Sequence, residues 1–113
     1  MSTMNVVEVH RSHVHELLKD RTTVGAGSSF LKPTTRIALQ AYGNVSSGTG
    51  SAEIDVEVSL DDVHWIVLGQ ISLTLGTTAV TDGFVSEAPW RYIRGNVKTL
   101  SGTGAKVSLL LGV

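Results

Sequence analysis

Residues 51–60 read Ser-Ala-Glu-Ile-Asp-Val-Glu-Val-Ser-Leu, a stretch in which apolar and polar side chains alternate strictly. The even positions are apolar, and the odd positions that follow Ser51 carry Glu53, Asp55, Glu57 and Ser59. Because successive side chains of a β-strand point to opposite faces, this period of two predicts a strand with one buried face and one wet face. The stretch therefore indicates an antiparallel sheet.

Similar patterns continue on both sides of this strand. Residues 36–42, 66–75, 88–100 and 105–113 are also predicted strands, and residues 22–31, broken by two glycines, predict a bent or bulged one. Seven or eight strands with turn signals about every 8–12 residues are typical of a sandwich or barrel. We expect an all-β fold: a single antiparallel, jelly-roll-like β-sandwich over residues 21–113. One contiguous core should contain Ile54, Val56, Val58, Ile93, Val97, Val107 and Leu109.

Residues 1–20 differ from the rest and are predicted to form an N-terminal arm. Their apolar side chains are too numerous for a simple solvated tail: Val6, Val7, Val9, Val14, Leu17 and Leu18. Such an arm can reach a neighbouring copy and add a strand to an exposed sheet edge or dock in a groove. The sequence thus predicts a homo-oligomer, a ring or a trimer, with contacts that include residues 4–18.

A short glycine-rich sequence occurs twice, as Ser-Gly-Thr-Gly-Ser at residues 47–51 and Ser-Gly-Thr-Gly-Ala at residues 101–105. Each copy lies between strand-like runs, and we interpret both as hairpin loops in which glycine supplies positive φ. A phosphate-binding loop would need a Gly-Lys-Ser/Thr ending and a following helix, and both copies lead into strands instead.

Composition excludes several classes of function. The 113 residues are enough for one domain with its own core, and ten acidic against nine basic residues leave a net charge of −1. No global field then attracts nucleic acid or acidic lipid. The absence of cysteine excludes disulfides, thiolate catalysis and cysteine-based metal sites. No apolar run approaches the ~20 residues of a membrane span, and the first residues lack the features of a signal peptide.

Three groups of polar residues could carry chemistry, and each has a simpler interpretation. The histidines His10, His13 and His15 could bind zinc or nickel, but a solvated polar arm is favoured. Glu53, Asp55 and Glu57 share one strand face, where a catalytic carboxylate pair is conceivable. A solvent-exposed strand face needs polar residues in any case, and this is the favoured interpretation. Asp61-Asp62 could contribute to a calcium site, which needs six or more oxygens. We predict no catalytic, cofactor or metal site, and we expect no enzyme.

The two tryptophans have two interpretations as well. Trp65 and Trp90 each open a strand-like run, and core anchoring is the usual role of such large side chains. The alternative is an exposed platform on which a sugar ring stacks.

Several motifs carry a resemblance to known proteins: Ser59-x-Asp61-x-x-x-Trp65, Leu68-Gly69-x-Ile71, Thr81-Asp82-Gly83-Phe84, residues 88–94 (Ala-Pro-Trp-Arg-Tyr-Ile-Arg) and residues 102–105 (Gly-Thr-Gly-Ala). Together they resemble a group of small virion proteins of tailed bacteriophages, over residues 22–113. The first and fourth motifs are also similar to core strands of discoidin-type galactose-binding domains, although Asp62 stands where that family has glycine.

The resemblance implies a non-enzymatic structural protein of the phage particle. A capsid decoration or cement protein that assembles as a homo-oligomer on the virion is the first expectation, with assembly in the host cytoplasm. A tail, neck or fibre component is an alternative, and a carbohydrate-binding adhesion module for the host surface is another. The expected partners are other copies of the chain and other virion proteins, with a carbohydrate as the alternative partner, and neither nucleic acid nor membrane.

Overall fold

The structure, a computed structural model, describes residues 14–32 and 34–113. This part of the chain is all β and contains no helix long and apolar enough to cross a membrane. Its strands are β1 (Val14–Arg21), β2 (Gly25–Ala26), β3 (Phe30–Leu31), β4 (Ile37–Asn44), β5 (Ser47–Ser59), β6 (Ile66–Leu75), β7 (Val80–Ser86), β8 (Tyr92–Thr103) and β9 (Lys106–Gly112).

The strands form two antiparallel sheets. Sheet A has the order β1-β9-β4-β7, and sheet B has the order β2-β8-β5-β6, with β3 pairing on the same edge of β8 as β2. If β2 and β3 are counted as one bent strand and the strands are renumbered from 1 to 8 along the chain, the orders become 1-8-3-6 and 2-7-4-5. This is the jelly-roll arrangement of eight strands. The predicted sandwich and the predicted bend in residues 22–31 are both confirmed.

The core lies between the inward faces of the two sheets. β5 is its centre, because it pairs with β6 on one side and with β8 on the other. All seven residues predicted for the core are buried in one cluster, joined among others by Leu39, Ile71 and Leu111. The alternation of β4 and β9 is confirmed in the same way, with the odd positions of both strands facing inward.

The predicted arm, residues 1–20, extends too far along the chain, because its last residues belong to the sandwich. Residues 14–20 belong to β1, which pairs with β9, and Leu17 and Leu18 are buried in the core. Leu18 fits between two glycines of the opposite sheet: a Cβ added to Gly95 or Gly27 would lie less than 3 Å from its side chain. The helical spacing of these apolar residues left strand and helix open, and packing against sheet B decides for the strand. Residues 1–13 lie outside the described residues.

The glycine-rich repeats are strand ends rather than two separate loops. The first copy opens β5, the second closes β8, and the two pair with each other through Ser47 with Thr103 and Ser51 with Ser101. A side chain at Gly50 would overlap the Ser101 carbonyl, so this close approach requires glycine. The prediction of a hairpin loop holds for the second copy alone, where Gly104 has a φ of 65° and the chain turns into β9.

The register defines the ends and sides of the sandwich. At one end lie the starts of β1, β4, β6 and β8 and the last residues of β3, β5, β7 and β9, because Val14 and Ala38 both pair with Gly112 and Ser59 pairs with Tyr92. On one side β1 lies beside β2 and β3, and on the other β6 contacts β7.

Candidate functional site

The outer face of sheet B carries a hydrogen-bonded network centred on Glu57. The Nε of Arg94 donates to Glu57 Oε1 at 2.7 Å, and the Nδ2 of Asn96 donates to Oε2 at 3.0 Å. The Arg94 guanidinium also lies 4.3 Å from the ring centroid of Trp65, within the range of a cation–π contact. Both oxygens of the carboxylate are thus engaged by neighbours on β8, and the network fixes the orientation of Trp65.

The environment of Glu57 shifts its pKa. Burial raises the pKa of this carboxyl, but hydrogen bonds from Asn96 and Arg94, together with the positive charges of Arg94 and Lys98, outweigh burial and lower it overall. Glu57 is 8 % exposed, so its charge is compensated almost entirely by protein groups. A carboxylate held ionised in this way is a poor proton donor, and the arrangement suits a structural contact better than acid catalysis.

The prediction that all three acids of β5 lie on a wet face needs correction. Asp55 is 6 % exposed, and its Oδ1 accepts a hydrogen bond of 2.8 Å from Nε2 of Gln70 on β6. Glu53 is half-buried and lies 3.3 Å from the Thr99 hydroxyl of β8. Each acid therefore finds a partner on a neighbouring strand. The long side chains of β6 and β8 cover the middle of the face, which alternation along β5 could not reveal.

The corner between β5 and β6 is organised by Ser59 and Asp61. The Ser59 hydroxyl donates to Asp61 Oδ1 and accepts the backbone N–H groups of Asp61 and Asp62. Asp61 in turn accepts the backbone N–H groups of Val63 and His64, and its Oδ2 lies 2.7 Å from His64 Nδ1. The backbone and ring of His64, the Val63 N–H and the Ser59 hydroxyl hold the pKa of Asp61 well below its usual range. Asp61 is thus occupied by the turn itself, which argues against the calcium interpretation.

A groove of about 510 Å³ lies beside Trp90, between the β3–β4 and β7–β8 connections. Trp90 packs partly on the core and forms one wall with Leu31, Thr34 and Arg91. Beneath it, the buried Nζ of Lys32 donates to the carbonyl oxygens of Ala88 at 2.6 Å and Thr35 at 3.1 Å. Burial lowers the pKa of Lys32. This lysine joins the two connections and holds the groove in shape.

Within the described residues, large exposed apolar side chains collect at the end of the sandwich where this groove opens. They come from both sheets and from the β5–β6 corner: Val14, Leu31, Leu60, Val63, Ile66, Val67 and Val85. A second groove at the same end, of about 470 Å³, is lined by Ile37, Val85 and Val113 among others. Exposed apolar side chains concentrated at one end of a fold make that end a candidate contact site for other molecules.

The structure also places the other candidate residues. His15 stacks on Phe30 with ring centroids 4.4 Å apart, while His10 and His13 lie outside the described residues. Across residues 14–32 and 34–113, no three His, Asp or Glu side chains come together as metal ligands. Trp90 packs against the core as predicted, whereas Trp65 lies outside it, under Arg94.

Sequence reasoning missed the two cations that organise these places. The acids concentrated on residues 53–62 and the bases of residues 91–106 favour adjacent strands, and β5 and β8 are neighbours, but this pattern does not identify Arg94 as the partner of Glu57. Lys32 had no such signal. A lysine beside a turn is expected to be solvated, and its burial depends on where the chain brings Ala88.

The comparisons with known proteins concern the fold. The sequence matches no known family profile and no curated protein. The crystal structure of the SPBc2 prophage-derived protein YomS is similar, with a TM-score of 0.55 and 16% identity over 90% of this chain and 93% of YomS. The PBSX exported protein XepA has a TM-score of 0.50 and 12% identity, over 89% of this chain and 36% of XepA. At these identities the likeness establishes a shared fold.

Proposed function

We propose that the chain is a non-enzymatic structural protein of a bacteriophage particle, a capsid decoration protein that assembles as a homo-oligomer on the virion. The observation that carries the proposal is the likeness to a prophage-derived protein over nearly the whole of both chains. The phage-protein motifs support it, because Ser59, Asp61 and Trp65 build one corner of the sandwich. The polar side chains around Glu57 and Asp61 hydrogen-bond to one another, and such internal contacts suit a rigid structural protein.

The shape of the surface supports assembly with other proteins. The described strands leave free edges at β1 and β7 in sheet A and at β6 and the short β2 and β3 in sheet B, and edges of this kind readily pair with another chain. The apolar end adds a contact surface formed by both sheets. Cyclic closure into a ring or trimer would cover several edges at once and prevent open-ended association. Other virion proteins are the second class of partner, and assembly would take place in the host cytoplasm.

The experiment is a census of purified particles. Phage particles from the host that expresses the chain are purified on a density gradient, and each protein is quantified by mass spectrometry. A decoration protein should be present in many copies, and gold-labelled antibody should mark the head. Label on the tail, neck or fibres would favour the alternative location, and absence from the particle would refute the proposal.

A carbohydrate-binding adhesion module remains the second candidate, and the groove beside Trp90 favours it. The groove offers an aromatic wall together with hydroxyl and cationic groups of Thr34, Thr35 and Arg91, a combination that suits a sugar ring. A glycan array tests this function. Saturable binding that Trp90→Ala abolishes, while Trp65→Ala leaves it intact, would support the groove, and the absence of binding would remove this candidate.

A further inference from the structure

The edge of sheet B formed by β6 lacks the usual protection. Among the described strands, β6 pairs with β5 alone, so one row of its backbone N–H and C=O groups faces outward. The run from Trp65 to Thr81 contains no charged residue and no proline. Natural sheets usually guard a long edge with such residues. β1, at one of the two free edges of sheet A, is guarded in this way by Glu16, Lys19, Asp20 and Arg21.

The ladder shows which backbone donors point outward from β6. The backbone N–H of Gly27 donates to the carbonyl oxygen of Gly95, so the backbone polar groups of Gly95 point towards β2. Those of the next residue, Asn96, therefore point the other way, towards β5. Asp55 of β5 pairs with Asn96, so its backbone N–H and C=O groups point towards β8. Because these groups alternate along a strand, those of Val56 and Ala52 point towards β6. Ala52 pairs with Leu73, which therefore donates to β5. The N–H groups at the free edge are then those of Gln70, Ser72 and Thr74.

We propose that this edge receives residues 4–9 of a second copy as an added β-strand. The inference rests on the proposed homo-oligomer and names the surface that builds it. Residues 4–9 read Met-Asn-Val-Val-Glu-Val, a β-prone segment with one charge that lies outside the described residues. Main-chain hydrogen bonds to an open edge supply the attraction, and alternate side chains supply specificity. The exposed Ile66 and Val67 at the start of β6 extend the apolar surface available to the valines.

The length of the connection favours a strand that comes from another copy. Val14 begins β1 on the side of the sandwich opposite β6. With strands ~4.8 Å apart and sheets ~10 Å apart, a strand added beside β6 lies roughly 20 Å from Val14. Residues 10–13 are all that joins residue 9 to Val14, and fully extended they span about 17 Å without any detour around the sandwich. A neighbour placed with its β6 edge beside this β1 side meets no such limit.

The resulting contact is directional. The β1 side of one copy, from which the segment leaves, faces the β6 side of the next. Such a head-to-tail contact closes into a ring when the rotation between copies permits, and the open edge of every sheet B is then covered. The same contact leaves the guarded edge at β1 without an added strand.

The test compares four proteins by light scattering coupled to size exclusion: the full chain, a deletion of residues 2–9, Ser72→Pro and Ser72→Ala. Proline at residue 72 removes an outward N–H and no bond to β5, so the sandwich should keep its melting temperature and circular dichroism. We expect the full chain and Ser72→Ala to be oligomeric, and the deletion and Ser72→Pro to be monomeric. A labelled peptide of residues 2–10 should bind the deletion variant, and Ser72→Pro should weaken that binding at least tenfold.

The outcomes separate this inference from the proposed function. A monomeric full chain would refute the homo-oligomer and the inference with it. An oligomeric deletion variant, or an oligomeric folded Ser72→Pro, would refute the inference and leave the homo-oligomer standing. If Ser72→Pro does not fold, Thr74→Pro removes the equivalent donor. Excess peptide added to the full-chain oligomer gives a test without any substitution: release of monomers supports the added strand, and an unchanged oligomer overturns it.

Discussion

Replacing Leu18 by alanine removes the side chain by which β1 is anchored to the opposite sheet. Leu18 is 1 % exposed, and its side chain fits against Gly95 and Gly27 of sheet B. The substitution deletes three buried carbon atoms, worth ~2.4 kcal/mol in transfer free energy at about 0.8 kcal/mol for each. The cavity left behind adds to this, so we expect a loss of about 3–4 kcal/mol in the free energy of unfolding. For a domain of this size the melting temperature should fall by roughly 12–16 °C.

A second substitution tests the contact itself. Alanine at Gly95 would place its Cβ 2.7 Å from Leu18 Cδ1, 2.8 Å from Leu18 Cγ and 2.7 Å from Leu109 Cδ2, which is closer than carbon atoms approach. Gly95→Ala alone should therefore cost about 1–3 kcal/mol through overpacking. In a Leu18→Ala background two of these three conflicts disappear. The double variant should then be more stable than the sum of the single losses predicts, by about 1 kcal/mol.

The assay is urea unfolding of each variant, followed by tryptophan fluorescence and circular dichroism. Lys19→Ala is the matched control, because Lys19 is the exposed neighbour of Leu18 on the same strand, and its change should stay within about 0.5 kcal/mol. A loss below about 0.5 kcal/mol for Leu18→Ala would mean that β1 is peripheral. Additive losses in the double variant would refute the described contact between Leu18 and Gly95.

Three further predictions concern the core, the charge network and metals. Val56→Asp should cost several kcal/mol, roughly 3 or more, because it places an unpaired charge at a fully buried position; a folded variant with an unchanged melting temperature would contradict the register of β5. Because the pKa of Glu57 is lowered in the folded protein, its contribution to stability is present above the unfolded value of about 4.3 and is lost as the pH falls through the folded value. The melting temperature of Glu57→Gln should therefore fall less steeply than that of the unmodified protein between neutral and acidic pH, and parallel curves would show that the charge of Glu57 contributes nothing. Dialysis against a chelator should leave the melting temperature unchanged, and a fall of more than about 5 °C would instead indicate a metal site at the histidines of residues 10–15 or at Asp61-Asp62.

Most of the fold could be predicted from the sequence, because in this chain the apolar side chains follow the period of the strand. The inward residues of β4, β5 and β9 are those that alternation selects. The predictions fail where the local sequence pattern indicates one environment and the neighbouring strands or turns provide another. The glycine-rich repeats look like loops, but the first copy and residues 101–103 of the second lie in strands because the two copies pair with each other. Ser59 stands at a polar position of the pattern, and it is buried because the turn that follows uses its hydroxyl three times.

The candidate functional surfaces were harder to predict from the sequence. Opposite charges on two predicted strands indicate that acids and bases pair across them, but they do not show that Arg94 pairs with Glu57. The exposed apolar side chains are spread from Val14 to Val85 along the chain, and no local window shows that they share one end of the sandwich. They do so because strands that start and strands that finish lie together at that end of the antiparallel sheets.

The sequence by itself determined where the strands lie and which side chains face inward, because a period of two is a local property of the backbone. Tertiary structure alone decided which strands are neighbours and which edges stay open. The burial of Leu18 between glycines, the engagement of Glu57 by β8 and the exposed edge of β6 all depend on strand order and register. Those are set by contacts between residues far apart in the chain, and alternation within a strand is the same whichever strand lies beside it.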